Sequence, residues 1–286
     1  MSACPGCAGT RCEPLFAVKG HPYVACPTCG SARLDPTPID TAGQLYSDRY
    51  FVGGEDRGGY VDYDADARLH RRNAAARLRF LGAAIRPDRP ADAVDVGCAS
   101  GYVLDVYRDA GLRPHGVDVS AWARERAVAR GHDVHATLAD ALAAAPDLAL
   151  VSFFQVLEHL PDPDAAVAEA AAALPAGGVL AVETWDRLSR IARLSGARWQ
   201  QANPPSVLHL FTRTGLEKLA DRHGLRVAKL SVTSKLVSPA LVIGVVAHRL
   251  GRLGNPLLKG VQAAGLGRLA IPYKLGDLVT MAAVKR

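Results

Sequence analysis

The sequence predicts an α/β protein built on a doubly wound parallel sheet, with a small cysteine-bearing head in front of it. Three observations carry this. From about residue 91 to 232, short apolar runs alternate with helix-patterned segments, the rhythm of strand–helix crossovers. The run Val94-Asp95-Val96 breaks into Gly97-Cys98-Ala99-Ser100-Gly101, and the next short strand ends in Asp118, the layout of a nucleoside-binding β-α-β unit. Ahead of that unit stand two C-x-x-C pairs, Cys4-Pro5-Gly6-Cys7 and Cys26-Pro27-Thr28-Cys29.

The bulk properties agree with a soluble enzyme. Of the 286 residues 49% are apolar and 22% charged, and the net charge of +6 permits an anionic ligand or membrane surface without requiring one. The densest basic run, Arg68, Arg71, Arg72, Arg77 and Arg79, falls at helical spacing among Ala and Leu and reads as a solvated helix face. Met1-Ser2-Ala3-Cys4 lacks a basic region followed by an apolar one. The longest apolar window, 236–250, is broken by Ser238-Pro239 and falls short of the roughly 20 residues that span a bilayer. A cytoplasmic protein is expected, with its cysteines reduced or metal-bound.

Taken in order, residues 1–35 read as a zinc ribbon. Each C-x-x-C pair, with Pro or Gly for the tight turn, supplies two thiolates to a tetrahedral Zn²⁺, and Cys4, Cys7, Cys26 and Cys29 make a coordinatively closed, structural site. Cys12 is spare and His21 unneeded. Residues 36–90 form a linker and helical lid segment: Asp35-Pro36-Thr37-Pro38 is stiff, the stretch from Tyr46 through Tyr50-Phe51 to Tyr63 is rich in aromatics and glycine, and 66–85 reads as one helix. The aromatic stretch serves equally well as a lid over a pocket or as a plug joining the ribbon to the core. Strands then follow at 93–96, 114–117, 133–135, 148–153, 179–183 and 226–232, with helices at 102–110, 121–130, from 138, 163–174 and 214–222 between them. In such a sheet the ligand sits at the carboxyl ends of the strands.

The glycine pattern, G-x-A-x-G, is one residue shorter than the dinucleotide fingerprint. Together with Asp118, the segment Gln155-Val156-Leu157-Glu158-His159-Leu160-Pro161-Asp162-Pro163 and the turn Pro175-Ala176-Gly177-Gly178, it resembles the class I S-adenosylmethionine-dependent methyltransferases, in the small-molecule branch whose bacterial members carry a zinc-ribbon head. The resemblance covers roughly residues 91–230 and departs from the family in having Ala99 for a usual glycine and Leu148-Ala149 where an acid often stands. It implies a Rossmann-like seven-stranded sheet over 91–286, with a helical insertion at about 236–270 before the last strand. It also implies that Asp95, Gly97, Ala99 and Gly101 line the methionine end of the cofactor, that Asp118 takes the ribose hydroxyls, that Val119 packs on adenine, that Leu138 lies beside the adenine nitrogens, and that Phe154 and Gln155 sit at the sulfonium end.

For an acceptor that must lose a proton, His159 is the first candidate base and His209 the second, with a structural role as the alternative for each. The long segment 184–213, with Trp185, Arg187, Arg190, Trp199 and Asn203, reads as the acceptor-binding region. The apolar insertion at 236–270, studded with Arg249, Arg252, Lys259 and Arg268, reads as a cover on the acceptor side, suited to a hydrophobic or lipid-linked acceptor and to peripheral membrane contact. The expected reaction is O- or C-methylation of a small molecule such as a sugar, polyketide or lipid-linked metabolite. An RNA-modifying enzyme gripping its substrate with the ribbon is the second reading, disfavoured because the ribbon carries only Arg11, Lys19 and Arg33 and because Asn203-Pro204-Pro205-Ser206 only partly echoes a base-flipping motif. A non-catalytic cofactor-binding scaffold is the third.

Overall fold

The computed structural model describes residues 3–37, 63–82, 85, 91–239 and 269–286. Three short strands, β1 (Glu13–Val18), β2 (His21–Ala25) and β3 (Ala32–Leu34), form an antiparallel meander behind the cysteine knuckles. A 3₁₀ turn at Asp64–Asp66 leads into α1 (Ala67–Leu81). The core follows as β4 (Asp92–Val96), α2 (Tyr102–Asp109), β5 (Arg113–Val117), α3 (Ala121–Ala129), β6 (Asp133–His135), α4 (Leu138–Ala143), β7 (Leu148–Phe154), α5 (Pro163–Ala173), β8 (Val179–Trp185), α6 (Arg190–Ser195), β9 (His209–Leu210), α7 (Arg213–Arg222) and β10 (Leu225–Val232). A two-stranded ribbon of β11 (Lys235–Val237) and β12 (Ile271–Tyr273) precedes the closing strand β13 (Leu278–Lys285).

The large sheet has seven strands in the order β10-β13-β8-β7-β4-β5-β6, with β13 inserted antiparallel between β10 and β8 and the strands from β8 to β6 parallel. This is the doubly wound arrangement the alternation predicts. Strands β4 and β8 are buried along their whole length, because helices cover both faces of a parallel sheet. One core layer gathers Phe153, Leu157, Val167, Leu180, Leu216 and Met281; the other gathers Leu81, Tyr107, Leu150, Phe154 and Ala282. Local signals set the helix starts: Asp162 accepts the Ala165 N–H at 2.9 Å with Pro163 in the first turn, and Thr212 accepts the Gly215 N–H at 2.9 Å. The first helix stops at Leu81, four residues short of the expected 85, where Gly82 turns out of the helix at φ 49°.

Two expectations are corrected. Segment 184–213, expected as one long irregular stretch, is structured. It folds as β8's end, α6, a 3₁₀ turn at Gly196–Arg198 and β9, and β9 pairs with β3 as the fourth strand of the head's sheet. Its apolar side chains Trp185, Trp199, Val207, Leu208 and Leu210 share one core with Tyr23, Ala32 and Leu34 of the head, and the Tyr23 hydroxyl donates to the Val207 carbonyl at 2.6 Å. Nor is the arginine run wholly solvated: Arg77 is turned inward and pairs with the buried Glu183. Arg77 shares the inner face of α1 with Leu69, His70 and Asn73, at i, i+3, i+4 spacing. The aromatic stretch 46–60 and most of the 236–270 insertion, residues 240–268, lie outside the described residues. Among the described residues, no helix is long and apolar enough to cross a membrane.

Candidate active site

A cleft of about 290 Å³ opens at the carboxyl ends of β4, β5 and β7. Its floor is the loop after β4. Gly97 and Ala99 take left-handed φ values of 74° and 48°, and a Cβ on Gly97 would come within 2.4 Å of Val156 Cγ2, so this turn tolerates no larger residue there. Gly101 does not line the cleft. It opens α2 at φ 84°, where a Cβ would meet the His132 ring at 2.8 Å, so its role is to fix the turn.

Two carboxylates face the floor. Asp95 is 2% exposed and accepts a 2.6 Å hydrogen bond from the Ser152 hydroxyl, which itself receives one from Tyr107 at 2.9 Å. Burial raises its carboxyl from 3.8 to about 7, with the opposing pull of Ser152 and Arg77 too small to prevent it. Asp118 accepts the N–H groups of Ala99 and Ser120, each at 2.9 Å, and burial also raises its pKa. Val119, 53% exposed, lines the cleft beside it. Leu138 does not: it packs against the core under the sheet.

The opposite wall is a connected polar network. Arg77 donates through Nε to Glu183 at 3.0 Å and stacks 4.7 Å from the Phe154 ring centroid. The Gln155 amide donates to Glu183 at 3.0 Å, the Thr280 hydroxyl donates to its other oxygen at 3.2 Å, and the Lys235 ammonium donates to Gln155 at 2.6 Å. Gln155 is held at φ 60°, a conformation that non-glycine residues reach mainly where surrounding structure imposes it. Burial holds Lys235 down at about 8 against the pull of Glu183, and its amino group lies 4.8 Å from the Trp185 ring centroid. Arg77, Glu183 and Lys235 carry no motif that marks them in the sequence; for Arg77 the helical spacing with His70 and Asn73 is the usable signal.

The rim closes over this wall. Asn73 makes a reciprocal pair with Leu236, 2.9 Å from its amide to the carbonyl and 2.8 Å from the Leu236 N–H back to its oxygen, and Ser238 donates to Asp66 at 2.8 Å. Helix α1 and strand β11 thereby meet across the cleft, and Lys235, Leu236 and Val237, at the base of the insertion, line it.

The two candidate bases separate. His159 lies on the cleft in a 3₁₀ turn, its Nδ1 2.6 Å from the Ser206 carbonyl. A carbonyl only accepts, so Nδ1 carries the proton and the neutral ring has its lone pair on Nε2. Glu158 is buried beneath, its pKa raised by burial, and accepts from the Thr184 hydroxyl at 2.8 Å. Its backbone carbonyl accepts the Leu208 N–H at 2.8 Å. His209 sits in β9, inside the interface with the head and outside the cleft, where burial holds its ring at about 4.

The four cysteines Cys4, Cys7, Cys26 and Cys29 converge, with Sγ separations of 3.3 Å for Cys4–Cys29 and 3.5 Å for Cys7–Cys26. A tetrahedral zinc–thiolate set has edges of about 3.8 Å, so the group could hold a metal with little movement. The knuckles rest on the start of α7: the Thr212 hydroxyl donates to the Cys29 carbonyl at 2.6 Å, and a Cβ on Gly6 would lie 2.8 Å from Gly215 Cα.

A family model for a methyltransferase domain matches residues 65–230, more than half of the chain. The chain therefore belongs to that family, and it is an S-adenosylmethionine-dependent methyltransferase of class I fold. Among solved structures it is similar to a SAM-dependent methyltransferase from Archaeoglobus fulgidus, with TM-score 0.53 and 15% identity over 83% of this chain and 100% of that one. A putative methyltransferase from Bacillus halodurans C-125 gives 0.53 and 13% over 75% and 99%. Magnesium protoporphyrin IX methyltransferase from Synechocystis PCC 6803, with bound SAH, gives 0.50 and 13% over 84% and 97%. At these identities the likeness is one of fold. A comparison with curated proteins gives no match.

Proposed function

We propose that this methyltransferase acts on a small-molecule acceptor, transferring a methyl group to oxygen or carbon, with His159 as the base. The reading rests above all on the α1–β11 contact across the cleft, Asn73 to Leu236 and Ser238 to Asp66, which leaves room for a compact acceptor rather than a polymer. Leu69, Val103, Phe154, Leu160 and Val237 give the walls an apolar character, in keeping with a sugar, polyketide or lipid-linked metabolite whose body is partly apolar.

The residues present fit S-adenosylmethionine. Gly97 and Ala99 allow close backbone approach, Asp95 offers negative charge to the methionine end of a cationic ligand, Asp118 offers a hydrogen-bond acceptor to the ribose hydroxyls, and Val119 offers an apolar face for adenine. S-adenosylmethionine supplies a methyl group already activated on a sulfonium. The chain's part is then to hold the acceptor in line, exclude water and take a proton, and His159 Nε2 is suited to the last of these. The test is turnover of a labelled methyl donor against metabolite extracts, read by product mass. Once an acceptor is found, His159→Gln should lower kcat about 10²- to 10⁴-fold with unchanged S-adenosylhomocysteine affinity, whereas His209→Gln should leave kcat of the folded protein near wild type. A wild-type rate in His159→Gln would place the base elsewhere.

We also infer that the four cysteines hold a structural Zn²⁺. Zinc sites of this ligand set supply folding free energy directly. Removing the metal with a chelator, or Cys26→Ser, should therefore loosen the head and, through β9, the segment that holds His159. The expected outcome is loss of bound zinc together with a lowered melting temperature; an unchanged melt after complete chelation would refute a structural role.

A further inference from the structure

We propose a second, open metal site on the free edge of the large sheet, formed by His115, Asp133 and His135 and suited to a divalent ion of the zinc, cobalt or nickel type. Strands β5 and β6 run parallel with His115 opposite Asp133 and His135 two residues further along the same face. One carboxylate oxygen, Asp133 Oδ2, lies 2.9 Å from His115 Nδ1 and 3.1 Å from His135 Nε2, and all three donor atoms fall within 4.8 Å of one another. Ligands about 2.0–2.1 Å from a tetrahedral zinc stand about 3.3 Å apart; the two carboxylate–imidazole separations lie within a few tenths of an ångström of that edge, and the two histidine nitrogens, within 4.8 Å of each other, need a rotation of the partly exposed His135 ring to close on the ion. Two imidazoles and one carboxylate match a borderline transition ion, whereas Mg²⁺ and Ca²⁺ want oxygen ligands alone.

The surroundings support the same reading. With His115 Nδ1 on a metal, its remaining N–H is on Nε2, which lies 3.5 Å from Asp92 Oδ1. Asp92 is 1% exposed and is itself oriented by Arg113 Nε at 2.6 Å and the Asp147 N–H at 2.8 Å. Closed from 3.5 Å to hydrogen-bond length, that contact would make the carboxylate–histidine–metal relay by which proteins fix a ligand's tautomer and ring plane. His115 and His135 side chains are 12% and 20% exposed and Asp133 is 56% exposed, so solvent has access for the remaining coordination positions. The site differs in chemistry from the four-thiolate cluster, and none of its three residues lines the cleft. It ties the three-residue edge strand β6 to β5, and the His135 carbonyl accepts the Asp118 N–H at 3.2 Å, so the ion would brace the strand end that carries Asp118.

The other occupant of these atoms is a proton, shared between His115 and the two carboxylates, and a titration separates the two. Tag-free full-length protein, its resident metal measured first, is titrated with Co²⁺ and separately with Zn²⁺ by calorimetry, with the cobalt spectrum recorded. The expected result is one further equivalent per chain, with a d–d band lacking thiolate charge transfer. His135→Ala and the surface variant Asp133→Asn should each weaken that step at least tenfold while resident metal, and S-adenosylhomocysteine binding measured without added ion, stay unchanged. Absence of a further equivalent in the wild-type protein, or a further equivalent that neither substitution weakens, would overturn the proposal.

Discussion

The two sides of the cleft hold their charges in opposite ways. On the floor, Asp95 and Asp118 are satisfied by a hydroxyl and by backbone N–H groups, and neither makes an ion pair among the described residues. Burial, only partly offset by the more distant Arg77 and Arg124, leaves both carboxyls reluctant to ionise, with Asp95 at about 7. On the opposite wall, Arg77 pairs with Glu183, and Gln155 and Lys235 are hydrogen-bonded to that pair in a chain. The floor is thus poised for a positive ligand that supplies the missing charge. The wall already holds its one carboxylate, Glu183, paired, and contributes shape and direction instead.

The largest effect should come from breaking the wall. Arg77→Met leaves the Glu183 carboxylate buried without its main partner, and losing one member of a buried pair costs about 3–5 kcal/mol. Chemical denaturation should show a loss of that order, and Glu183→Gln combined with Arg77→Met should recover part of it. If Arg77→Met costs less than about 1 kcal/mol, the wall is not the interlocked unit described.

The floor should respond to pH. Asp95 in the free protein is protonated below about 7, and a ligand that brings an ammonium group favours its carboxylate, so binding releases a proton. Affinity for S-adenosylhomocysteine should rise about tenfold per pH unit from pH 5 towards 7 and level off above. The same raised pKa makes this carboxyl cost stability as pH climbs from about 4 to 7, the reverse of an ion-paired aspartate. An affinity flat between pH 5 and 8 would remove Asp95 from the charge balance of binding.

The floor is also the more legible side in the sequence. A strand ending in a small-residue turn leaves few conformations open, and Gly97, Ala99 and Asp118 stand where the motif puts them. The thiolate cluster is legible for the same reason, since short spacing fixes geometry locally. The wall depends on contacts across the whole chain. Lys235 follows the sixth large-sheet strand with no pattern around it, and Arg77 is submerged in a run of surface arginines. His159 and His209 look alike in sequence, each a histidine near a strand or turn, and only the pairing of β9 with β3 separates them. That pairing is invisible in the sequence because β9 is two residues long and its partner lies some 175 residues earlier.

Whether the floor binds the cofactor, with Asp118 on the ribose, is decided by calorimetric titration of S-adenosylhomocysteine into the wild-type protein and Asp118→Ala. One equivalent should bind to the wild type, and the variant should bind at least tenfold more weakly, about 1.4 kcal/mol or more, while still folding cooperatively. Equal affinity in the two proteins would contradict that role for the floor.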